Sequence, residues 1–494
     1  MASTTMSAYM WILLSIYAAV ILFFVIRGAR KTSSIADYAV GNLGFPSWVV
    51  GLSLAASMTS AATFIINPGF IALYGMSGVL SFGVVFPLAA LISLIVFTKG
   101  YAKYGQSVKA TTMAQWIGKR YNSDSYKLFF GVIALLLITF IVLINVGITQ
   151  VISKSLNVEP FYVLLGITVF VFGYMMFGGA NSMVYTNTIQ AIIMFIVALI
   201  LVGSGYEYFS NGLSGLLNDL SAIDPQLAKP TNASSFLFRD YFEIIFCQIV
   251  IGIAVVCQPH IITKSLLLKD QSKINSYLFS GIVFMLVFFS VVIVGLYARM
   301  SFPDLSVNGV SLKMDEIVPT YVVQTFSVGV GLVIVVGLIS AGLSTLESLI
   351  QSLSITITSD ILKPILKERM PENTIIVNKL VVVVLAVVSF LFSWAQIKNP
   401  NVSVAIFAQN GVYAYFGAAF VPVLFGTFFK TVSTRAVFIA SIVSLVVHFG
   451  IYYGRITPYM QEPVNNPGVS AAIGIVISLC VGLIINKIDS RTNG

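Results

Sequence analysis

The chain has 494 residues, of which 58% are hydrophobic and 9% charged, and its formal net charge is +9. A water-soluble domain carries about 25% charged residues, so this composition excludes a globular protein whose whole surface faces water. Lipid is the main solvent it implies, and the positive balance becomes a question of membrane topology rather than a nucleic-acid signal.

A membrane-crossing helix needs about 20 mostly apolar residues. On that measure the sequence predicts thirteen, near 8–27, 45–75, 77–98, 125–152, 158–177, 181–207, 241–258, 275–298, 318–352, 373–396, 401–426, 434–454 and 467–486. They lack the alternation of barrel strands, and only helices or closed barrels satisfy a backbone in lipid, so an all-α integral membrane protein is expected. The first run has no basic residue before it and is followed by Arg27, Arg30 and Lys31, which reads as a helix rather than a cleavable leader. Most of the 27 Lys and Arg residues fall in alternate loops, the minority side holding only Lys154, Lys229, Arg239, Arg299, Lys313, Lys398 and Arg455. The positive-inside rule then predicts a multi-pass inner-membrane protein with its N-terminus outside and its C-terminus cytoplasmic. Lys109, Lys264 and Lys269 are assigned to inner loops, and 208–240 to a partly ordered outer cap. Cys247, Cys257 and Cys480 have no metal-like spacing and read as buried small residues. No G-x-x-x-x-G-K-[ST] run offers a nucleotide engine, so an ion gradient or downhill flow is the expected drive.

Three spans carry unusual polarity. The second reads Ala55-Ala56-Ser57-Met58-Thr59-Ser60-Ala61-Ala62-Thr63, then Asn67-Pro68-Gly69. Proline removes a backbone donor and glycine is permissive, so a break is predicted there. Freed carbonyls at a break are suited to coordinating a cation, while a kinked packing helix lined with small residues explains the same composition. The ninth span contains Ser340-Ala341-Gly342-Leu343-Ser344-Thr345-Leu346-Glu347-Ser348. The Ser344 and Thr345 hydroxyls with the Ala341 carbonyl offer three oxygens to a hard cation, unless the hydroxyls bond back to their own helix. Glu347 is the one acid of eighteen that sits deep in a span; the others, Glu372 and Glu462 among them, lie in loops or near span ends. A carboxylate at that depth costs about 2.5 kcal/mol or more unless paired, solvated or protonated. No Lys or Arg is expected at the same depth, so its partner is read as an external cation, a proton or polar neighbours. Asn187 in the sixth span is a neutral oxygen donor or helix–helix glue.

Taken together, the Asn67-Pro68-Gly69 break, Gly178-Gly179 leading to Tyr185-Thr186-Asn187 and Gln190, Gln258-Pro259-His260, and Ser344-Thr345 with Ser348 ahead of Ser359-Asp360 resemble the sodium/solute symporter family. That family includes sodium/proline, sodium/pantothenate, sialic-acid and sodium/glucose carriers. The resemblance runs over nearly the whole chain. It implies a LeuT-like five-plus-five inverted repeat: an extra helix at 8–27, repeats at 45–207 and 240–426, and two further helices at 434–486. It implies sodium as the coupling ion, held by the Ala56, Thr59 and Ala341 carbonyls and the Ser344 and Thr345 side chains. Many relatives have Asp where Asn187 stands, and a small or hydroxylated residue where Glu347 stands. The acid would thus have crossed from one wall of a second cation or proton site to the other, that site being Asn187, Glu347 and Ser348 with Ser344.

The resulting expectation is a sodium-coupled symporter that imports a small polar solute, such as a monocarboxylate or amino acid, by alternating access, a single copy in the bilayer sufficing. Solute candidates are Asn67, Asn145, Gln248, Gln409 and Asn410, with Phe70, Tyr413 and Tyr415 as stacking or gating rings. A proton-coupled carrier using Glu347, or a sensor or channel on the same scaffold, are the alternatives. A lone glutamate with neither a histidine nor a second acid beside it does not make an enzyme.

Overall fold

The computed structural model describes all residues except 1–3, 108–109, 269, 372, 400–403, 462–463 and 493–494. Lys109, Lys269, Glu372 and Glu462 of the charge reading, and the start of the 401–426 span, therefore lie outside the described residues. Among the described residues, ten helices are long and apolar enough to cross a membrane. Two bent helix pairs raise this to twelve: Ser47–Met58 with Ala62–Tyr74, turned by 56°, and Phe242–Cys257 with Pro259–Leu267, turned by 61°. Pro160–Met175 overlaps the remaining predicted span but has only 16 residues, about 24 Å at helical rise against a hydrocarbon core of about 30 Å.

The first bend lies ahead of where proline and glycine placed it. Thr59 is extended (φ −107°, ψ 117°), and the chain resumes through a wide π-helical turn, Ala62–Ile66, directly into Asn67–Tyr74. Pro68 sits at the start of that helix, where the amide it lacks is not needed. Gly69 answers a packing demand instead: a Cβ there would lie 2.3 Å from the Met314 carbonyl oxygen. The second bend falls at Gln258, extended at ψ 136° ahead of Pro259, the conformation a following proline imposes.

The long helix Val328–Thr356 is the axis of the bundle and is buried over most of its circumference. It packs against Gly179–Gly203, Ile138–Leu156 and Ser47–Met58, and the short helix Pro259–Ile262 of the second broken span also reaches it. The 208–240 connection is more ordered than expected: Gly212–Ile223 is a helix that buries Leu216 and Leu220. Cys480 departs from the buried reading and is exposed, while Cys247 and Cys257 are buried.

The second half of the first broken span is locked to Val294–Ser301 at Gly295, where a Cβ would lie 2.1 Å from the Pro68 carbonyl oxygen. Overpacking of this kind costs about 1–3 kcal/mol. Gly295→Val is expected to lower the thermal midpoint of the detergent-purified protein, read by size-exclusion fluorescence after heating, with Gly166→Val, which meets open space, as the unaffected control.

Candidate functional site

At the first bend, Ser47–Met58 ends with its last carbonyls no longer taken up by the following helix. The neighbouring long helix supplies the donors. Ser344 Oγ donates to the Ala56 carbonyl at 2.7 Å and lies 3.1 Å from the Ala341 carbonyl of its own helix. Thr345 Oγ1 lies 3.2 Å from the Ser57 carbonyl, 3.4 Å from that of Thr59 and 3.5 Å from that of Ala56. The five oxygens of the sequence-predicted sodium set thus converge, all of their residues buried, and the Ser57 carbonyl joins them. A hard cation with oxygens at about 2.3–2.6 Å, as calcium takes, spaces octahedral ligands about 3.3–3.7 Å apart, so this cluster needs only a small expansion to surround one. Both hydroxyls bond across to another helix, and Ser344 also bonds back to its own, which departs from the purely local alternative.

The same stretch has a second face. Met58, Ser60, Ala62, Thr63 and Asn67 line a cavity of about 120 Å³ that also takes in Gln248, Gln258, Gln409 and His260 and is walled by rings including Tyr413 and Phe416. Gln248 Oε1, Gln258 Oε1 and His260 Nδ1 have no hydrogen-bond partner among the described residues, so the cavity presents unspent polar atoms within an apolar wall. Three of the five predicted solute residues meet there: Asn67, Gln248 and Gln409. The other two do not line it. Asn145 is buried in Ile138–Leu156 with neither amide atom paired among the described residues, and Asn410 donates to the Tyr453 hydroxyl at 3.0 Å. Gln258 and His260, named from the sequence only as part of the Gln258-Pro259-His260 run that carries the family resemblance, are the residues missed here; the helix-ending Gln-Pro-His pattern concealed them, because the bend turns this stretch into the bundle.

One turn along the long helix from Ser344, Asn187, Glu347 and Ser348 also come together. Glu347 accepts from the Tyr174 hydroxyl at 2.6 Å, the Thr186 hydroxyl at 2.5 Å and Gln190 Nε2 at 2.9 Å. Ser348 Oγ is 2.8 Å from Ser57 Oγ. The absence of a basic residue at this depth, expected from the sequence, is corrected: Lys264 is buried at 3% exposure and its Nζ donates to Ser53 Oγ at 3.0 Å. The sequence alone places it in an inner loop because Pro259 reads as the end of a span, whereas the chain turns by 61° and continues as helix through Leu267.

Known proteins share this architecture and sequence. A solved Na+-coupled sialic acid symporter, described as substrate-bound and outward-open with a novel Na+ site, aligns over 97% of both chains with a TM-score of 0.79 at 18% identity, which shows a common fold. The sodium/pantothenate symporter of Haemophilus influenzae is 26% identical over 410 residues, 81% of each chain. The sodium/proline symporter of Staphylococcus aureus is 24% identical over 499 residues, 97% of this chain and 93% of that one. The model of the sodium:solute symporter family matches residues 38–444, most of the chain and all of the oxygen-lined bend, the cavity and the long helix that closes them, and on that match the chain belongs to the sodium:solute symporter family.

Proposed function

We propose that this protein is a multi-pass carrier of the inner membrane that couples sodium entry to import of a small polar solute. The observation that carries this reading is the convergence of the Ser344 and Thr345 hydroxyls on the freed carbonyls of Ala56 and Thr59. Sodium takes the Ala56, Thr59 and Ala341 carbonyls with those two hydroxyls, and the solute takes the cavity on the other face of the same bend. A cation drawn into the oxygen cluster pins Ser47–Met58 to the long helix and so orders Met58, Ser60 and Thr63 on the cavity wall. Sodium and solute therefore raise each other's affinity by the same factor. Rocking of the repeats then exposes both to the inside.

Two further features support a five-plus-five repeat at 45–207 and 240–426: each begins with a broken span, bent by 56° and by 61°. On this reading Pro160–Met175 also crosses, giving thirteen spans with the N-terminus outside. Among the described residues no Asp, Glu, Lys or Arg lines the cavity, which disfavours a multiply charged solute and leaves a zwitterionic amino acid or a monocarboxylate, in keeping with the pantothenate and proline named for the relatives. The proton-coupled alternative would work through Glu347, which lies off the cavity wall among Tyr174, Thr186 and Gln190.

The test uses proteoliposomes and a radiolabelled panel of amino acids and monocarboxylates, proline and pantothenate included, under separate sodium and proton gradients. Uptake of one of them driven by sodium alone is expected; uptake driven only by protons overturns the reading. Ser344→Ala with Thr345→Ala removes two of five ligands and is expected to weaken the half-saturating sodium concentration at least tenfold, about 1.4 kcal/mol. Gln248→Ala and Gln409→Ala are expected to raise the half-saturating solute concentration while leaving stabilisation of the solute-free protein by sodium over potassium unchanged, as read by thermal melting.

A further inference from the structure

The second site poses a question that the sodium reading leaves open: what balances Glu347. The Asn187 amide satisfies all its neighbours in one orientation. Its oxygen then accepts from Lys264 Nζ at 3.2 Å and from Ser57 Oγ at 2.9 Å, while its nitrogen donates to Glu347 Oε2 at 3.3 Å and to Gln190 Oε1 at 3.0 Å. Lys264 also donates to Ser53 Oγ at 3.0 Å. The ammonium is thus held by neutral oxygens from the first broken span and from Gly179–Gly203, with the Glu347 carboxylate one amide away. Lys264, Asn187 and Glu347 are all buried, so the two charges compensate each other in a medium that screens them weakly.

Neutral oxygens with a carboxylate close behind are the ligand set of a monovalent cation site, and here a cation of the protein's own stands in it. We infer that the Lys264 ammonium is the resident cation of the Asn187, Glu347 and Ser348 site, so that this carrier binds one sodium ion, at the Ala56/Ser344/Thr345 cluster, where an untethered second site would bind two. A sodium ion beside Ser348 and Asn187 would meet a like charge at close range in a buried setting, and removal of that charge frees both the oxygens and the carboxylate. The inference rests on the sodium reading above for the identity of the first ion.

Equilibrium binding of radioactive sodium to the purified, solute-free protein, in buffer balanced with choline chloride, tests it without knowledge of the solute. One ion per chain is expected for the wild type and two for Lys264→Met. Lys264→Met with Glu347→Gln, which removes both buried charges and keeps a neutral interior, is expected to return to one. Two ions in the wild type overturn the inference, and that count stands even where Lys264→Met does not fold. One ion in folded Lys264→Met also overturns it. A wild-type ion lost on Ser344→Ala with Thr345→Ala supports it; one that survives there and is lost on Glu347→Gln overturns it, because sodium would then occupy the place given to the ammonium. A wild type that binds none while Lys264→Met gains one would fail the sodium reading and leave this one standing.

Discussion

Backbone carbonyls buried away from water must find donors, and at Ala56, Ser57 and Thr59 the helix that would have supplied them has turned aside. In a lipid-bathed bundle no water is at hand to replace the lost bonds. The protein answers with two adjacent hydroxyls, Ser344 and Thr345, from the long buried helix Val328–Thr356. Both partners of this contact are incomplete by themselves. The hydroxyls share a few protons among four carbonyls, so oxygen lone pairs remain in excess, and a small hard cation is what such an excess attracts.

This constraint organises what surrounds it. The residues that give their carbonyls to the cluster are interleaved with residues that face the cavity proposed for the solute: Ala56, Ser57 and Thr59 on one side, Met58 and Ser60 on the other. A shift of the strand-like stretch at Thr59 cannot move one set without the other, which is the physical form of coupling between ion and solute. The second broken span serves the cavity and the polar cluster around Glu347. Gln248, Gln258 and His260 reach the cavity, and six residues beyond the bend Lys264 reaches the polar cluster one turn from Ser344.

Charge placement follows the same economy. Glu347 is expensive in a bundle core, and the donors of Tyr174, Thr186, Gln190 and Asn187, with a buried ammonium on the far side of Asn187, answer the cost locally. Among the described residues, the cavity proposed for the solute is left with amides, hydroxyls, an imidazole and rings and no fixed charge of its own.

The chain's apolar runs, its charge deficit and its Ser-Thr pair decided by themselves that the protein is a helical membrane bundle with an oxygen-rich break, because hydropathy and hydroxyl content are properties of short segments. The convergence of Ala56, Thr59, Ala341, Ser344 and Thr345 was legible only through resemblance, since the two segments lie nearly three hundred residues apart and nothing local brings them together. Tertiary structure alone decided three other matters. It set the first bend at Thr59 rather than at Asn67-Pro68-Gly69, because a proline at a helix start needs no break and Gly69 was required by Met314. It separated Asn410 and Asn145 from Asn67, Gln248 and Gln409, because the helix face a residue occupies depends on its neighbours and not on its type. And it carried Lys264 from an apparent loop into the core, because a proline that ends one helix also begins the next, and only the packing of that next helix fixes whether its lysine meets water or a carboxylate.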